Sequence, residues 1–172
     1  MELVLDRCII RSWQLTDAGS VAKQANSRKI WRNVRDAFPF PYTIGNAKEW
    51  IRIARADVPE THFAIEVHRE AVGGIGVRLK EDVYRCTAEI GYWLGESYWG
   101  QGIVTEAVRA LTDFAFANLG VWRVYADVFE WNPASMRVLE KAGYICEGRL
   151  RKNVIKDGQV IDALLYAKVR ES

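Results

Sequence analysis

Residues Tyr98–Ala107 read YWGQGIVTEA, and the meaning given to Gly100 and Gly102 decides the fold. After them Val104, Val108, Leu111 and Ala115 recur at the spacing of an amphipathic helix, closed by Leu119-Gly120. Glycine costs about 1 kcal/mol inside a helix relative to alanine, so the pair marks a boundary and not an interior. It is either a plain turn or backbone bared for a ligand. A helix N-terminus presents N–H groups and about half a positive charge, and glycines there let an anion approach with no Cβ in the way. The Lys-[Ser/Thr] ending of a P-loop is missing, as are the third glycine and the βαβ repeat of a dinucleotide fold. These ten residues leave turn and phosphate cradle equally open.

Working outward, Thr87–Leu94 (TAEIGYWL) predicts a strand with Ala88, Ile90, Tyr92 and Leu94 on one face and Glu89, Gly91 and Trp93 on the other. Burying an unpaired charge is expensive, so Glu89 invites two readings. Burial raises its pKa and fits it for proton transfer, or an arginine such as Arg78 or Arg85 pairs with it. Past the helix, Arg123–Phe129 (RVYADVF) predicts a strand, and Asn132-Pro133 opens a second helix in a favourable way, since asparagine caps and proline suits the first turn. Ser135 falls at the open end of that helix, where its hydroxyl can give a proton to a leaving group or bond the first turn. The helix ends at Ala142-Gly143. Tyr144–Leu150 and Val160–Val169 are the last strands, joined around Lys156-Asp157-Gly158-Gln159.

On the N-terminal side, Leu3–Trp13 reads as one strand, and Thr16-Asp17 as the cap of a helix over Ala18–Ala25. Residues 31–42, WRNVRDAFPFPY, are aromatic and broken by two prolines, so loop or short helical turns are expected. A helix over Ala47–Arg55 precedes strands at His62–His68 and Val72–Leu79, turning at Arg69-Glu70. Gly73, Gly74 and Gly76 in the second strand predict a bulge or a close backbone approach. The sum is an α+β arrangement in one domain spanning residues 1–172.

Bulk properties narrow the function. With 24 basic and 22 acidic side chains the net charge is +2, which gives no support to a nucleic-acid binder. Charges interrupt the apolar N-terminus, so it is not read as a signal peptide, and no stretch reaches the roughly 18 apolar residues of a membrane helix. Cys8, Cys86 and Cys146 are odd in number and lack metal-type spacing, which suits a reducing cytoplasm and no bound metal. They read as strand packing residues. His62 and His68 flank a separate strand, which disfavours a cysteine nucleophile activated by histidine.

The Glu89 strand, the glycine pair and the Asn132–Ser135 helix start, in that order, resemble the GNAT superfamily of acetyl-coenzyme A-dependent N-acetyltransferases. The likeness runs from LDRCIIRSWQLTDA through EIGYWLGESYWGQGIVTEAV and FEWNPASMRVLEKAGYICEGRLR to DALLYA, and is closest to the branch of the ribosomal-protein N-terminal alanine and serine acetyltransferases. It implies a mixed, mostly antiparallel sheet of about seven strands with about four helices, in which the Glu89–Leu94 strand splays from the one starting near Arg123. It also implies acetyl-coenzyme A as co-substrate. Pantetheine would pair with main chain at Trp93 and Leu94, and pyrophosphate would rest on the N–H groups of Trp99, Gly100, Gln101, Gly102, Ile103 and Val104. Asn132 would bond the pantetheine arm, Ser135 would face the thioester sulfur, and Lys141 or Arg137 would meet the outer phosphate. Two positions depart from the family. Ser97 stands where arginine or glutamine is usual, and Leu139 where many relatives place a catalytic tyrosine, which raises the importance of Ser135. Tyr144, beyond the helix, is not a replacement.

The expected chemistry is direct attack of a primary amine on the thioester, with Glu89 removing the amine's proton itself or through water. A backbone N–H near Leu94 would polarise the carbonyl, and Ser135 would protonate the thiolate. Trp31, Arg35, Phe40 and Tyr42 either meet the acceptor or form a packed lid. The acceptor is a protein N-terminal α-amine or a small-molecule amine, and the chain a monomer or homodimer. The rival reading is a silent acyl-coenzyme A-binding or regulatory module, against which the retention of Glu89 and Ser135 speaks.

Overall fold

The computed structural model of the chain describes residues 1–171. They form two compact units, Met1–Gly76 with Tyr92–Ala107, and Val77–Gly91 with the chain from Val108 on.

In the first unit, β1 (Glu2–Val4) and β2 (Ile9–Arg11) pair antiparallel, Glu2 opposite Arg11. The single strand expected over Leu3–Trp13 is therefore a hairpin. Its turn closes where the Leu5 N–H donates to the Cys8 carbonyl at 2.9 Å. Helices α1 (Ala18–Ala25), α2 (Arg28–Trp31) and α3 (Ile44–Ala56) follow. Asp17 occupies the cap position of α1 but does not cap it with its side chain. Its carboxylate instead takes both terminal nitrogens of Arg11 at 2.8 Å, and the Gln14 N–H at 2.8 Å. Arg11 also bonds Glu66 through Nε. Arg11 and Asp17 are 7% and 6% exposed, so the pair ties β2 to the start of α1 from inside.

Helix α3 starts three residues earlier than expected because Thr43 and Asn46 form a capping box. The Thr43 hydroxyl accepts from the Asn46 N–H at 3.1 Å, and the Asn46 side chain accepts from the Thr43 N–H at 2.9 Å. Strands β3 (His62–Val67) and β4 (Glu70–Leu79) are joined by His68 and Arg69, both left-handed with φ of 51° and 65°. The turn thus falls one residue before the one expected. Val21, Ala25, Ala47, Ile51, Ala54 and Ala64 bury their side chains in a core with Trp13 and Tyr42.

In the second unit, the start of β5 (Thr87–Leu94) pairs in parallel with β6 (Arg123–Phe129), from Thr87 opposite Arg123 to Glu89 opposite Tyr125. Helix α4 (Ile103–Asn118) ends before the left-handed Gly120, φ 66°. Helix α5 (Pro133–Lys141) ends before Gly143, φ 89°. Strands β7 (Ile145–Lys156) and β8 (Gln159–Val169) form a long hairpin closed by Asp157 and Gly158, φ 52° and 71°. β7 runs six residues past the expected end, with register shifts between Cys146 and Gly148 and between Leu150 and Val154. β6 pairs antiparallel with β8 from Arg123 opposite Val169 to Phe129 opposite Ala163.

The strand order is β1-β2-β3-β4-β5-β6-β8-β7, mixed and mostly antiparallel, and β4, β5 and α4 contribute residues to both units. The described residues hold eight strands and five α-helices, one more of each than expected. The added strand comes from the N-terminal hairpin. The added helix is the single turn α2, capped by Ser27.

Candidate active site

In the first unit, β5 ends at Trp93 and Leu94 and passes through Gly95 and one 3-10 turn, Glu96–Tyr98, to the glycine pair. The close approach expected at the strand glycines is real. A Cβ on Gly73 would lie 2.5 Å from the Trp93 carbonyl oxygen, and one on Gly74 would lie 2.6 Å from the Trp93 indole nitrogen. Phe38 packs against Trp93 at 5.7 Å and Tyr42 at 4.9 Å between ring centroids, which fixes the end of β5 from its side-chain face. The Trp99 indole N–H donates to the Leu94 carbonyl at 2.7 Å and fastens the turn.

Gly100 and Gly102 are both left-handed, φ 73° and 77°, a conformation that L side chains seldom adopt. Nothing lies within 4 Å of where a Gly100 Cβ would be. The Glu106 N–H donates to the Gly102 carbonyl at 3.1 Å, which starts the helical ladder. Ile103, Val104 and Thr105 therefore present the donor-rich first turn of a sixteen-residue helix. Gln101 lies in the same segment, its side chain donating to the Ser97 carbonyl at 3.1 Å. One correction follows. The Trp99 N–H donates to Glu96 O at 3.2 Å within the 3-10 turn, so the backbone cradle begins at Gly100. Two bared backbone positions followed by helix N–H groups suit a pyrophosphate.

In the second unit, Glu89 stands opposite Tyr125 in the last pair of the parallel register. Its Oε2 accepts from Arg78 at 2.6 Å, from Lys80 at 3.2 Å and from the Tyr125 hydroxyl at 3.2 Å, with the side chain 13% exposed. Lys80 also sits 5.5 Å from the centroid of the Tyr125 ring. Its bonds to Tyr125 and then to Glu89 push the Lys80 ammonium above its ordinary value, against the opposing pull of partial burial. Arg78 is thus the pairing arginine, while Arg85 donates to the Asp82 carbonyl at 2.9 Å. Lys80 and Tyr125 are partners of Glu89 that the sequence reading missed. Lys80 was within reach, two residues on from Arg78 and just past the end of β4, where the alternation of an extended chain sets both on one side. Tyr125 was not, because only the strand register sets it opposite Glu89.

Asn132 caps α5, its side-chain oxygen accepting from the Ser135 N–H at 3.3 Å. Ser135 is half-buried in the first turn. Leu139 is fully buried. The Tyr144 hydroxyl lies 2.7 Å from Thr112 Oγ1, which itself donates to the Val108 carbonyl at 2.6 Å, so Tyr144 braces α4. The Lys141 carbonyl accepts from the Arg109 guanidinium, and the side chains of Lys141 and Arg137 are exposed.

The aromatic segment divides. Trp31 and Phe40 stand 6.2 Å apart with Arg28 5.2 Å from the Trp31 ring, and Phe40 is 41% exposed. Arg35 is exposed. Tyr42 is 6% exposed in the core, and burial pushes its phenol up to about 12. It fits the packed alternative. The cysteines need correction as well, since only Cys8 is buried, while Cys86 and Cys146 are exposed. His62 bonds Asp57 at 2.8 Å. Among the described residues no group of three or more histidine, cysteine or acidic side chains could hold a metal. No described helix is long and apolar enough to cross a membrane.

The fold is that of an acyl transferase, and the glycine pair at the start of α4 suits a phosphate-bearing co-substrate. Residues 7–145 match the family model described as the acetyltransferase (GNAT) domain, and the chain belongs to the GNAT N-acetyltransferases. It is similar to the SPbeta prophage-derived uncharacterized N-acetyltransferase YokL of Bacillus subtilis (strain 168), 32% identical over 146 residues, covering 83% of this chain and 80% of that protein. It is also similar to the ribosomal-protein-serine acetyltransferase of Escherichia coli (strain K12), 34% identical over 110 residues, which span 64% of this chain and 61% of that enzyme. Among solved structures, the RimL ribosomal L7/L12 alpha-N-protein acetyltransferase in complex with coenzyme A shares the fold. Its TM-score is 0.85 at 20% identity, over 97% of this chain and 96% of that one.

Proposed function

We propose that the chain acetylates the α-amine of a protein or peptide N-terminus by direct attack of the amine on the thioester of acetyl-coenzyme A. The observation that carries this reading is Glu89, a carboxylate fixed by Arg78, Lys80 and Tyr125 on the strand that leads to the glycine cradle. Amide formation needs a neutral amine. At pH 7 roughly a tenth of an α-amine is neutral, against fewer than about one in a thousand for a lysine side chain. A carboxylate already balanced by two cations suits the acceptor that needs less help. The similarity to a ribosomal-protein-serine acetyltransferase points the same way.

In this reading Glu89 accepts the amine's proton, directly or through water. The main chain at Trp93 and Leu94 aligns the pantetheine arm, and a backbone N–H near Leu94 polarises the thioester carbonyl. The N–H groups from Gly100 through Val104 hold the pyrophosphate, and Lys141 with Arg137 meets the outer phosphate. The Asn132 amide bonds the pantetheine arm, and Ser135 returns a proton to the thiolate. Trp31, Arg35 and Phe40 receive the acceptor. Thioester chemistry supplies the activated acetyl group.

The test is thiol release from acetyl-coenzyme A with a panel of peptides bearing free N-termini, the same peptides blocked at the N-terminus, and small amines including a polyamine. Free peptides should react fastest and blocked ones not at all. Preference for the polyamine would replace the acceptor, and no thiol release with any amine would leave only a silent acyl-coenzyme A-binding module.

A further inference from the structure

The turn between β1 and β2 sets Arg7 beside the glycine pair. A Cβ on Gly102 would meet the Arg7 side chain at 3.3 Å (Nε), 3.5 Å (Cδ) and 3.9 Å (Cζ), so the guanidinium lies against the backbone that enters α4. The turn is held there by one carboxylate. Glu106 accepts from the Asp6 N–H at 3.1 Å and the Arg7 N–H at 2.9 Å. The Arg7 guanidinium itself is 3.9 Å from Glu106, longer than a hydrogen bond, and the side chain is 55% exposed. Glu106 therefore spends its oxygens on main chain and positions the turn. A guanidinium carries five N–H donors in a planar fork that matches phosphate geometry.

We infer that Arg7 is a further coenzyme A-binding residue, its guanidinium flanking the Gly100–Val104 cradle and donating to a phosphate oxygen. The inference rests on the reading of that cradle given above. It gives Gly102 a second reason to be glycine, since a Cβ would press on the guanidinium as well as strain a left-handed backbone. It also supplies a cation that offsets the Glu106 charge where an anion must dock.

Calorimetric titration of coenzyme A and dephospho-coenzyme A into wild type, Arg7→Lys, Arg7→Gln and Arg7→Glu tests it, with thermal melts as the fold control. Loss of a charged hydrogen bond at a phosphate should weaken coenzyme A about tenfold in Arg7→Gln. Arg7→Lys should lose less and Arg7→Glu more. The gap between Arg7→Gln and wild type should shrink as salt rises from about 50 mM to about 500 mM, because an exposed charge is screened. A penalty that persists with dephospho-coenzyme A places Arg7 on the pyrophosphate, and one that vanishes places it on the outer phosphate. Equal affinity of wild type and Arg7→Gln, or any order other than Lys, Gln, Glu, overturns the inference. A wild-type chain that binds no coenzyme A overturns the cradle reading itself and takes Arg7 with it.

Discussion

Glu89 and Arg11 show two ways in which one charge is kept inside this chain. Arg11 is nearly sealed off with Asp17 and Glu66, so Asp17→Asn should cost about 1 to 3 kcal/mol in denaturant melts, since Glu66 still pairs the guanidinium through Nε. Glu89 keeps 13% of its side chain exposed beside two cations and a phenol, and its substitution should act on rate instead. Glu89→Gln should lower turnover about a hundredfold and flatten its pH dependence, with coenzyme A affinity within about twofold of wild type. An unaltered pH profile would remove Glu89 from proton transfer. Gly102→Glu should fold yet lose coenzyme A, by adding bulk and negative charge beside Arg7 and the start of α4. The glycine pair was legible in the sequence as a helix boundary, because glycine is costly inside a helix, while its left-handed backbone came from the structure. Tyr125 entered through β-sheet register, which no spacing within one strand encodes, whereas Lys80 could have been found from its two-residue spacing to Arg78.

At the scale of elements, side-chain caps were an uneven guide: α1 starts where expected without one, while the Ser27 cap of α2 and the Thr43–Asn46 box of α3 went unread and only the cap of α5 was legible. Asn132-Pro133 announced α5 and both residues stand where expected. In the proposed function Asn132 has a second role beside its cap, and the two are separable. Asn132→Asp keeps the capping oxygen but exchanges the amide donor for an acceptor, so stability should hold while coenzyme A binding weakens. Asn132→Ala should in addition cost about 1 kcal/mol of stability, read from the shift in melting midpoint. The N-terminal hairpin was read as one strand because Leu5–Cys8 holds neither glycine nor proline to mark the turn. The β3–β4 turn was misplaced by one residue for a related reason. His68 and Arg69 carry no turn signature, and their left-handed geometry follows from the ladder that closes over them. β7 was cut short because its second half is mostly polar in sequence, and the inward series Leu150, Val154 and Lys156 ends in a lysine that reads as a surface residue although the fold buries it.

For the whole molecule, buried weak acids set an alkaline limit. Burial, and secondarily Glu106, pushes the Cys8 thiol from 9.0 to about 11. Burial pushes Tyr42 from 10.0 to about 12, and burial followed by Glu140 does the same to Tyr166. Each group keeps its proton in the fold at a pH where the unfolded chain has released it. Stability should therefore be full below pH 9 and fall as pH climbs through the range from about 9 to about 12. Urea midpoints measured across that range check this, and Cys8→Ala should delay the first decline. The strand order carries a different consequence. β7 is the terminal strand, twelve residues long and mostly exposed, with Ile145 and Ile155 72% and 73% open. A border of that length invites other chains to zip on. Its two register slips stand in the way, with the left-handed Lys152 inside the second and the Lys152 N–H tied to Asp162 at 2.8 Å. The colloidal behaviour of the protein therefore hangs on an irregularity far along the sequence from the glycine cradle. Asp162→Ala should loosen that knot and raise light scattering in concentrated solution long before the melting midpoint moves.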